Sequence, residues 1–210
     1  MIFLTVNSIL FQTKKGCSVL QACNSLDIEI PRFCFHNKLL IAGNCRMCLV
    51  EIEKMPKPVA ACAMPVNIPG IRVFTNTPLV RKARESVIEF LLLNHPLDCP
   101  ICDQGGECDL QEQSFAYGAD KSRFYHKKKR GVVNKNWGPL INTVITRCIQ
   151  CSRCVRFFSE ISGFSFLGLV SRGTAAEVGF FSEIAPKNFF SGNLVDLCPV
   201  SILTIKQFLC

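Results

Sequence analysis

Fourteen cysteines in a chain of 210 residues, with a formal net charge of +8, exclude several classes at once. Cysteine usage is several times the ordinary level, yet the chain is too long for a disulfide-stapled miniprotein. Hydrophobic content of 49% and a charged fraction of 19% exclude intrinsic disorder. The basic excess permits nucleic acid, acidic lipid or an acidic protein as partner without choosing among them.

The chain begins with an apolar segment, residues 2–6, that reads directly as a strand. It has no basic stretch followed by an apolar core and cleavage site, so export is not expected. In a reducing compartment cysteines hold metal more often than they pair. Residues 9–12, 48–53 and 71–75 also read as strands, and residues 18–26 have helical spacing. Gly43-Asn44, Pro65 and Pro69-Gly70 mark loops. Residues 1–77 therefore read as one mixed α+β domain.

Thr77-Pro78 opens a helix, with apolar residues at 79, 80, 83, 87, 88, 91 and 92, that should stop near Asn94-His95-Pro96. The rest of a second domain, to residue 120, is rich in cysteine and glycine with little apolar periodicity. Residues 121–139 are basic and polar and are expected to form an exposed linker. Residues 140–210 form a third domain. No apolar run, including those near 87–93 and 164–170, is long enough to cross a bilayer, so direct membrane insertion is not expected. Small domains with thin cores need internal staples.

The cysteines fall into three constellations. Cys34, Cys45, Cys48 and Cys62 contain one C-x2-C pair, which aims two thiolates at one point, and two more cysteines that close a four-sulfur site. Tetrahedral zinc and a [2Fe–2S] cluster both accept four thiolates. The surroundings favour the cluster, because Gly43 permits a backbone that points N–H groups inward. The spacing departs from plant-type C-x4-C-x2-C, and zinc stays open on composition alone.

His95, Cys99, Cys102 and Cys108 form H-x3-C-x2-C-x5-C, a loop wrapped round one object with Gly105-Gly106 for flexibility. Taken alone, His95 reads as a helix-end histidine favoured by the helix dipole. Beside three cysteines that lack a local fourth, it reads as a ligand, and the spacing leaves the metal open between zinc and a cluster. The third group, Cys148-x2-Cys151-x2-Cys154, puts three thiolates on one short turn, with a remote proline-followed cysteine at Cys198-Pro199. That matches a bacterial ferredoxin run with its last ligand displaced, and it suits a [4Fe–4S] cubane better than one crowded zinc ion. Cys17, Cys23 and Cys210 remain; they are assigned no chemistry, the first two reading as small buried hydrophobes.

There is no G-x-G-x-x-G or G-x4-G-K-[ST] phosphate loop, and no nucleophile with its base, so the chain reads as an electron conduit. The run Lys127-Lys128-Lys129-Arg130 lacks interleaved aromatics and reads as a solvated linker or docking surface rather than a nucleic-acid site.

Segments 42–51, 95–109 and 146–157, with Asn136-Trp137-Gly138-Pro139-Leu140 and 191–199, resemble the large (75 kDa) iron–sulfur subunit family of respiratory complex I, NADH:quinone oxidoreductase. The resemblance implies a ferredoxin-like β-grasp domain followed by two small loop-rich domains stapled by clusters. It implies one [2Fe–2S] cluster on Cys34, Cys45, Cys48 and Cys62. It also implies two [4Fe–4S] clusters, on His95, Cys99, Cys102 and Cys108 and on Cys148, Cys151, Cys154 and Cys198. Electrons would pass from reduced flavin on a neighbouring NADH-binding subunit towards quinone, in the peripheral arm on the matrix side of the mitochondrial inner membrane. The family continues into a long C-terminal domain, which is expected here to be either missing or supplied by a separate polypeptide. After Cys198-Pro199-Val200 the chain has Ser201-Ile202, where the family commonly has glycine and alanine.

Two other readings remain at this point. A diaphorase subunit of an NAD-reducing hydrogenase resembles the same three-site module, and a basic zinc-stapled module would bind nucleic acid. The charge weighs against the latter, since thiolates and metals carry charge of their own. Oxidised clusters of the implied types would carry about −2, −1 and −2, which brings +8 to roughly +3.

Overall fold

The computed structural model describes residues 1–124, 131–181 and 189–206, and the backbone separates into two units. One comprises Met1–Phe35, Ile41–Glu89 and Tyr117–Ala119; the other comprises His36–Leu40, Phe90–Ala116 and Asp120–Cys210.

In the first unit β1 (Ile2–Val6) alternates as its sequence requires, with Ile2, Leu4 and Val6 buried and Phe3 exposed. Asn7 and Ser8 both take positive φ, 47° and 82°, and turn the chain in two residues into β2 (Ile9–Thr13). Helix α1 (Val19–Asn24) is started by a reciprocal cap: Gln21 N–H donates to Ser18 Oγ at 3.2 Å, and Ser18 N–H to Gln21 Oε1 at 3.0 Å. It ends short of the expected residue 26 because Leu26 and Ile28 both donate back to the Cys23 carbonyl, reversing the chain. Strands β3 (Leu49–Ile52), β4 (Val59–Ala60) and β5 (Ile71–Phe74) complete a sheet of order β2-β1-β5-β3-β4. The β1–β5 pair is parallel and its neighbours are antiparallel. Seventeen buried residues, Leu4, Leu20, Val50 and Val73 among them, form one apolar core between α1 and this sheet. This is the expected ferredoxin-like β-grasp arrangement.

Helix α2 (Pro78–Asn94) starts and stops where the sequence places it. Thr77 Oγ1 accepts from Val80 N–H at 3.2 Å and donates to Glu51 at 2.7 Å. The sequence reading does not anticipate α3 (Asp109–Tyr117), because that helix carries no amphipathic stripe: Leu110 is buried while Phe115 is exposed. Asp109 and Glu112 in its first turn suit the helix dipole.

The rest of the second unit is made of short pieces. Strands β6 (Ile141–Thr143) and β9 (Leu203–Ile205) pair antiparallel, as do β7 (Leu167–Val170) and β8 (Glu177–Phe180). Helices α4 (Arg153–Phe157) and α5 (Asn193–Leu197) have five residues each. The turn of α4 widens over Phe158–Ser162 and ends at Gly163, with φ of 73°. A chain of rings packs the interior: Phe158 to Phe166 at 4.6 Å, Phe166 to Phe180 at 5.9 Å, and Phe180 to Trp137 at 5.0 Å. Trp137 therefore corrects the expectation of an exposed linker, since it is only 3% exposed. Its neighbours are tied down too: Asn134 accepts from Ile145 N–H at 3.0 Å, and the Lys135 carbonyl accepts from Thr143 at 2.7 Å. The basic run 127–130 and Cys210 lie outside the described residues.

Candidate metal centres

The first constellation is held at one end of the β-grasp core. Cys48 and Cys62 adjoin β3 and β4, whose pairing Leu49↔Ala60 brings them together, with Ala61 N–H donating to the Cys48 carbonyl at 2.9 Å. The loop that carries Cys45 turns through left-handed backbone at Gly43 (φ 63°) and Arg46 (φ 59°). A non-glycine residue pays of order 1 kcal/mol for that conformation. The turn aims amides at sulfur: those of Asn44 and Cys45 face Cys34, and Cys34 N–H lies 3.5 Å from Cys45 Sγ. Cys34, Cys48 and Cys62 are buried and Cys45 is half-buried.

These four thiols influence one another. Cys45 first and then Cys62 hold the Cys34 thiol well below its ordinary range, and Cys62 lowers Cys48 to about 7. Two are pushed up in turn, Cys45 by Cys34 and Cys62 by Cys34 and Cys48, with burial adding to both. Four residues spread over 29 positions of sequence thus act on one another's thiols.

The second constellation surrounds a cavity of about 190 Å³, lined by His95, Cys99, Cys102 and Cys108 together with Arg147 and Val200. His95 follows the last residue of α2; Cys99 begins a single tight turn, Cys99–Ile101; Cys108 immediately precedes α3. Gly105 is required by close approach, because a Cβ there would stand 2.8 Å from the Cys99 carbonyl oxygen. Burial raises the Cys108 thiol, and Cys99 is exposed. Arg147, which borders the cavity, gives Asp98 two hydrogen bonds, from Nε at 3.1 Å and Nη2 at 2.9 Å. That partly buried fork ties the residue before Cys99 to the residue before Cys148.

The third constellation joins distant segments. Gln150 and Ser152, on either side of Cys151, both take left-handed φ, 56° and 60°, so the segment that carries Cys148, Cys151 and Cys154 is tightly curled. Cys198 stands at the end of α5. Burial raises the Cys154 thiol first, followed by the sulfurs of Cys151, Cys148 and Cys198; Cys198 is raised by burial and then by Cys151. Gln150 N–H donates to Cys148 Sγ at 3.3 Å, and Val200 and Ile202 amides face Cys198. Of the cysteines outside the three groups, Cys23 is fully buried and Cys17 half-buried. Among the described residues no three His, Cys, Asp or Glu side chains are placed to hold a single metal ion.

Three families match successive stretches of the chain. They are described as a 2Fe-2S iron-sulfur cluster binding domain (residues 1–78), the NADH-ubiquinone oxidoreductase-G iron-sulfur binding region (84–123) and the NADH-quinone oxidoreductase subunit 3 ferredoxin-like domain (138–204). The chain is 58% identical over 208 residues to the NADH-ubiquinone oxidoreductase 75 kDa subunit of Reclinomonas americana, covering 99% of this chain and 30% of that protein. It is 61% identical over 194 residues to the mitochondrial NADH dehydrogenase [ubiquinone] iron-sulfur protein 1 of Solanum tuberosum, covering 92% of this chain and 26% of that protein. Over nearly its whole length the chain is similar to the N-terminal iron–sulfur part of these 75 kDa-type subunits.

It spans under a third of the length of these family members. A crystal structure of an NAD+-reducing [NiFe]-hydrogenase contains a chain of the same fold, with a TM-score of 0.88 and 26% identity over all of this chain and 90% of that one. The three family matches follow one another along the chain, and among the described residues no helix is long and apolar enough to cross a membrane. Sequence reasoning overlooked Arg84 and the Arg147–Asp98 fork. The signal for Arg84 was a cation between Val80 and Ile88 at i, i+4 spacing, on the buried face of α2.

Proposed function

We propose that this chain is the iron–sulfur portion of complex I that carries electrons from reduced flavin on a neighbouring NADH-binding subunit towards ubiquinone. It would hold one [2Fe–2S] cluster on Cys34, Cys45, Cys48 and Cys62. It would hold two [4Fe–4S] clusters, on His95, Cys99, Cys102 and Cys108 and on Cys148, Cys151, Cys154 and Cys198. Its domains are residues 1–77, 78–120 and 140–210, with 121–139 between the last two. Its partners are the other peripheral-arm subunits, on the matrix side of the mitochondrial inner membrane.

The observation that carries this reading is the cavity of about 190 Å³ whose lining includes His95, Cys99, Cys102 and Cys108. Roughly 15 Å³ suffices for a water molecule, so the space suits a polyatomic group far better than one zinc ion. The other two sites have the same chemistry: soft thiols, buried or half-buried, with backbone amides aimed at sulfur. Bound clusters supply one-electron couples in which the added charge spreads over several metal and sulfur atoms. The protein's part is to hold the thiolates in fixed positions, exclude water with the surrounding core, and direct N–H dipoles at the sulfurs. The hydrogenase chain supports a second reading, a diaphorase subunit, but at 26% identity against 58% and 61% it is the weaker one.

Metal and sulfide analysis of the anaerobically purified protein tests the assignment. The proposed clusters require about ten iron atoms and ten acid-labile sulfides per chain. Three zinc ions without sulfide would end the reading. Co-purification with a nickel–iron hydrogenase pair would transfer it to the second.

A further inference from the structure

Arg84 is a buried cation without a carboxylate. It sits on the inner face of α2 and is 3% exposed, among the least accessible charged residues described. Nη2 donates to the Leu49 carbonyl at 2.9 Å, and the guanidinium stands 5.5 Å from the centre of the Tyr117 ring. Nε is buried without a hydrogen-bond partner. None of the described ion pairs involves Arg84. A guanidinium does not escape by losing its proton, and a buried charge left uncompensated is costly. Something anionic must balance it.

Two of the groups whose charge Arg84 feels are thiols, Cys48 and Cys23. Cys23 is excluded as the counter-charge, because burial raises it to about 11 and it stays a neutral thiol at pH 7. Cys48 is different: it belongs to the four-sulfur site and adjoins Leu49, whose carbonyl Arg84 grips. Four thiolates around an oxidised [2Fe–2S] core leave that site with a net charge of about −2, and one added electron makes it about −3.

Accepting the [2Fe–2S] assignment above, we infer that Arg84 is the internal counter-ion of the Cys34/Cys45/Cys48/Cys62 site and holds its reduction potential up. A fixed positive charge in a water-poor interior favours the more negative, reduced state. The Leu49 hydrogen bond and the Tyr117 ring keep the charge in position; they do not neutralise it. Arg84 belongs to α2, outside the ligand loops, so it can be changed without touching a ligand.

The test is potentiometric titration of the full chain in its purified complex, followed by the electron paramagnetic resonance of the reduced binuclear centre. Arg84→Gln should shift the reduction equilibrium towards the oxidised state by at least tenfold, which is 59 mV for a one-electron couple. Arg84→Lys, which keeps the charge, should shift it by much less, and both variants should leave the two [4Fe–4S] signals where they are. An unchanged potential in Arg84→Gln overturns the inference. So does an equal fall in both variants, which would mark a packing role. If Arg84→Gln does not retain the centre, retention by Arg84→Lys upholds the charge role and loss from both refutes it. A wild-type protein with no binuclear signal would instead defeat the cluster assignment on which the inference stands.

Discussion

The two units solve one problem, holding a many-sulfur site, in opposite ways. In the first, a five-stranded sheet and α1 enclose a continuous core, and the four cysteines are loops and strand ends attached to it. In the second, the sheets have two strands each, the helices α4 and α5 have five residues, and cysteines stand in the connections before α3, before α4 and after α5. Two-stranded sheets and single-turn helices are marginal in water without further support. The aromatic chain from Phe158 to Trp137 provides some of it. A cluster bound by Cys148, Cys151, Cys154 and Cys198 would provide the rest by closing a loop of about fifty residues, since metal binding becomes folding free energy when the site does not pre-exist. The lesson is one of order: in the first unit the fold makes the site, and in the second the site helps make the fold.

Removing iron anaerobically with a chelator is the strongest way to break this contrast. Amides of β6, β9 and the 148–154 loop should lose hydrogen-exchange protection, read by mass spectrometry, while those of β1, β3 and β5 keep most of theirs. Equal loss in both units would end the distinction. A smaller effect sharpens it from the other side. Leu20 is fully buried between α1 and the sheet, and Leu20→Ala should cost about 2–5 kcal/mol of the first unit's stability. Thermal melting of the iron-free protein should register that cost in full, because no cluster contributes there. Smallest is Ser18→Ala, which removes the α1 cap and should lower the same transition by about 1 kcal/mol. No change on removing the cap would show that core packing alone sets the start of α1.

Much of this was legible in the chain. Strands β1, β2, β3 and β5 and helix α2 follow from alternation and from Thr77-Pro78, because in each the burial pattern repeats a local period. The short β4 was missed, since two residues carry no period. Helix α3 was missed for a related reason, as it buries one leucine and leaves its phenylalanine exposed. Trp137 was misjudged because its flanking lysines and asparagines read as solvated, whereas Lys135 and Asn134 spend their polar groups on β8 and on Ile145. The candidate ligands were legible as residues and spacing. Their grouping into three sets was legible too, from the spacing and from the resemblance.

By itself the sequence determined the donor chemistry: cysteine pairs with two residues between them, a histidine near three thiols, and a glycine before the first pair. Those are local, since a C-x2-C loop can close only within its own few residues. The tertiary structure supplies the path by which Cys34 and Cys62 come to influence Cys45 and Cys48, and Cys198 to influence Cys154, and it alone decided that Arg84 is buried beside Leu49 without a carboxylate. Each of these joins residues far apart in the chain, and loop closure over such distances is set by the core that repays its entropy, which no local pattern records.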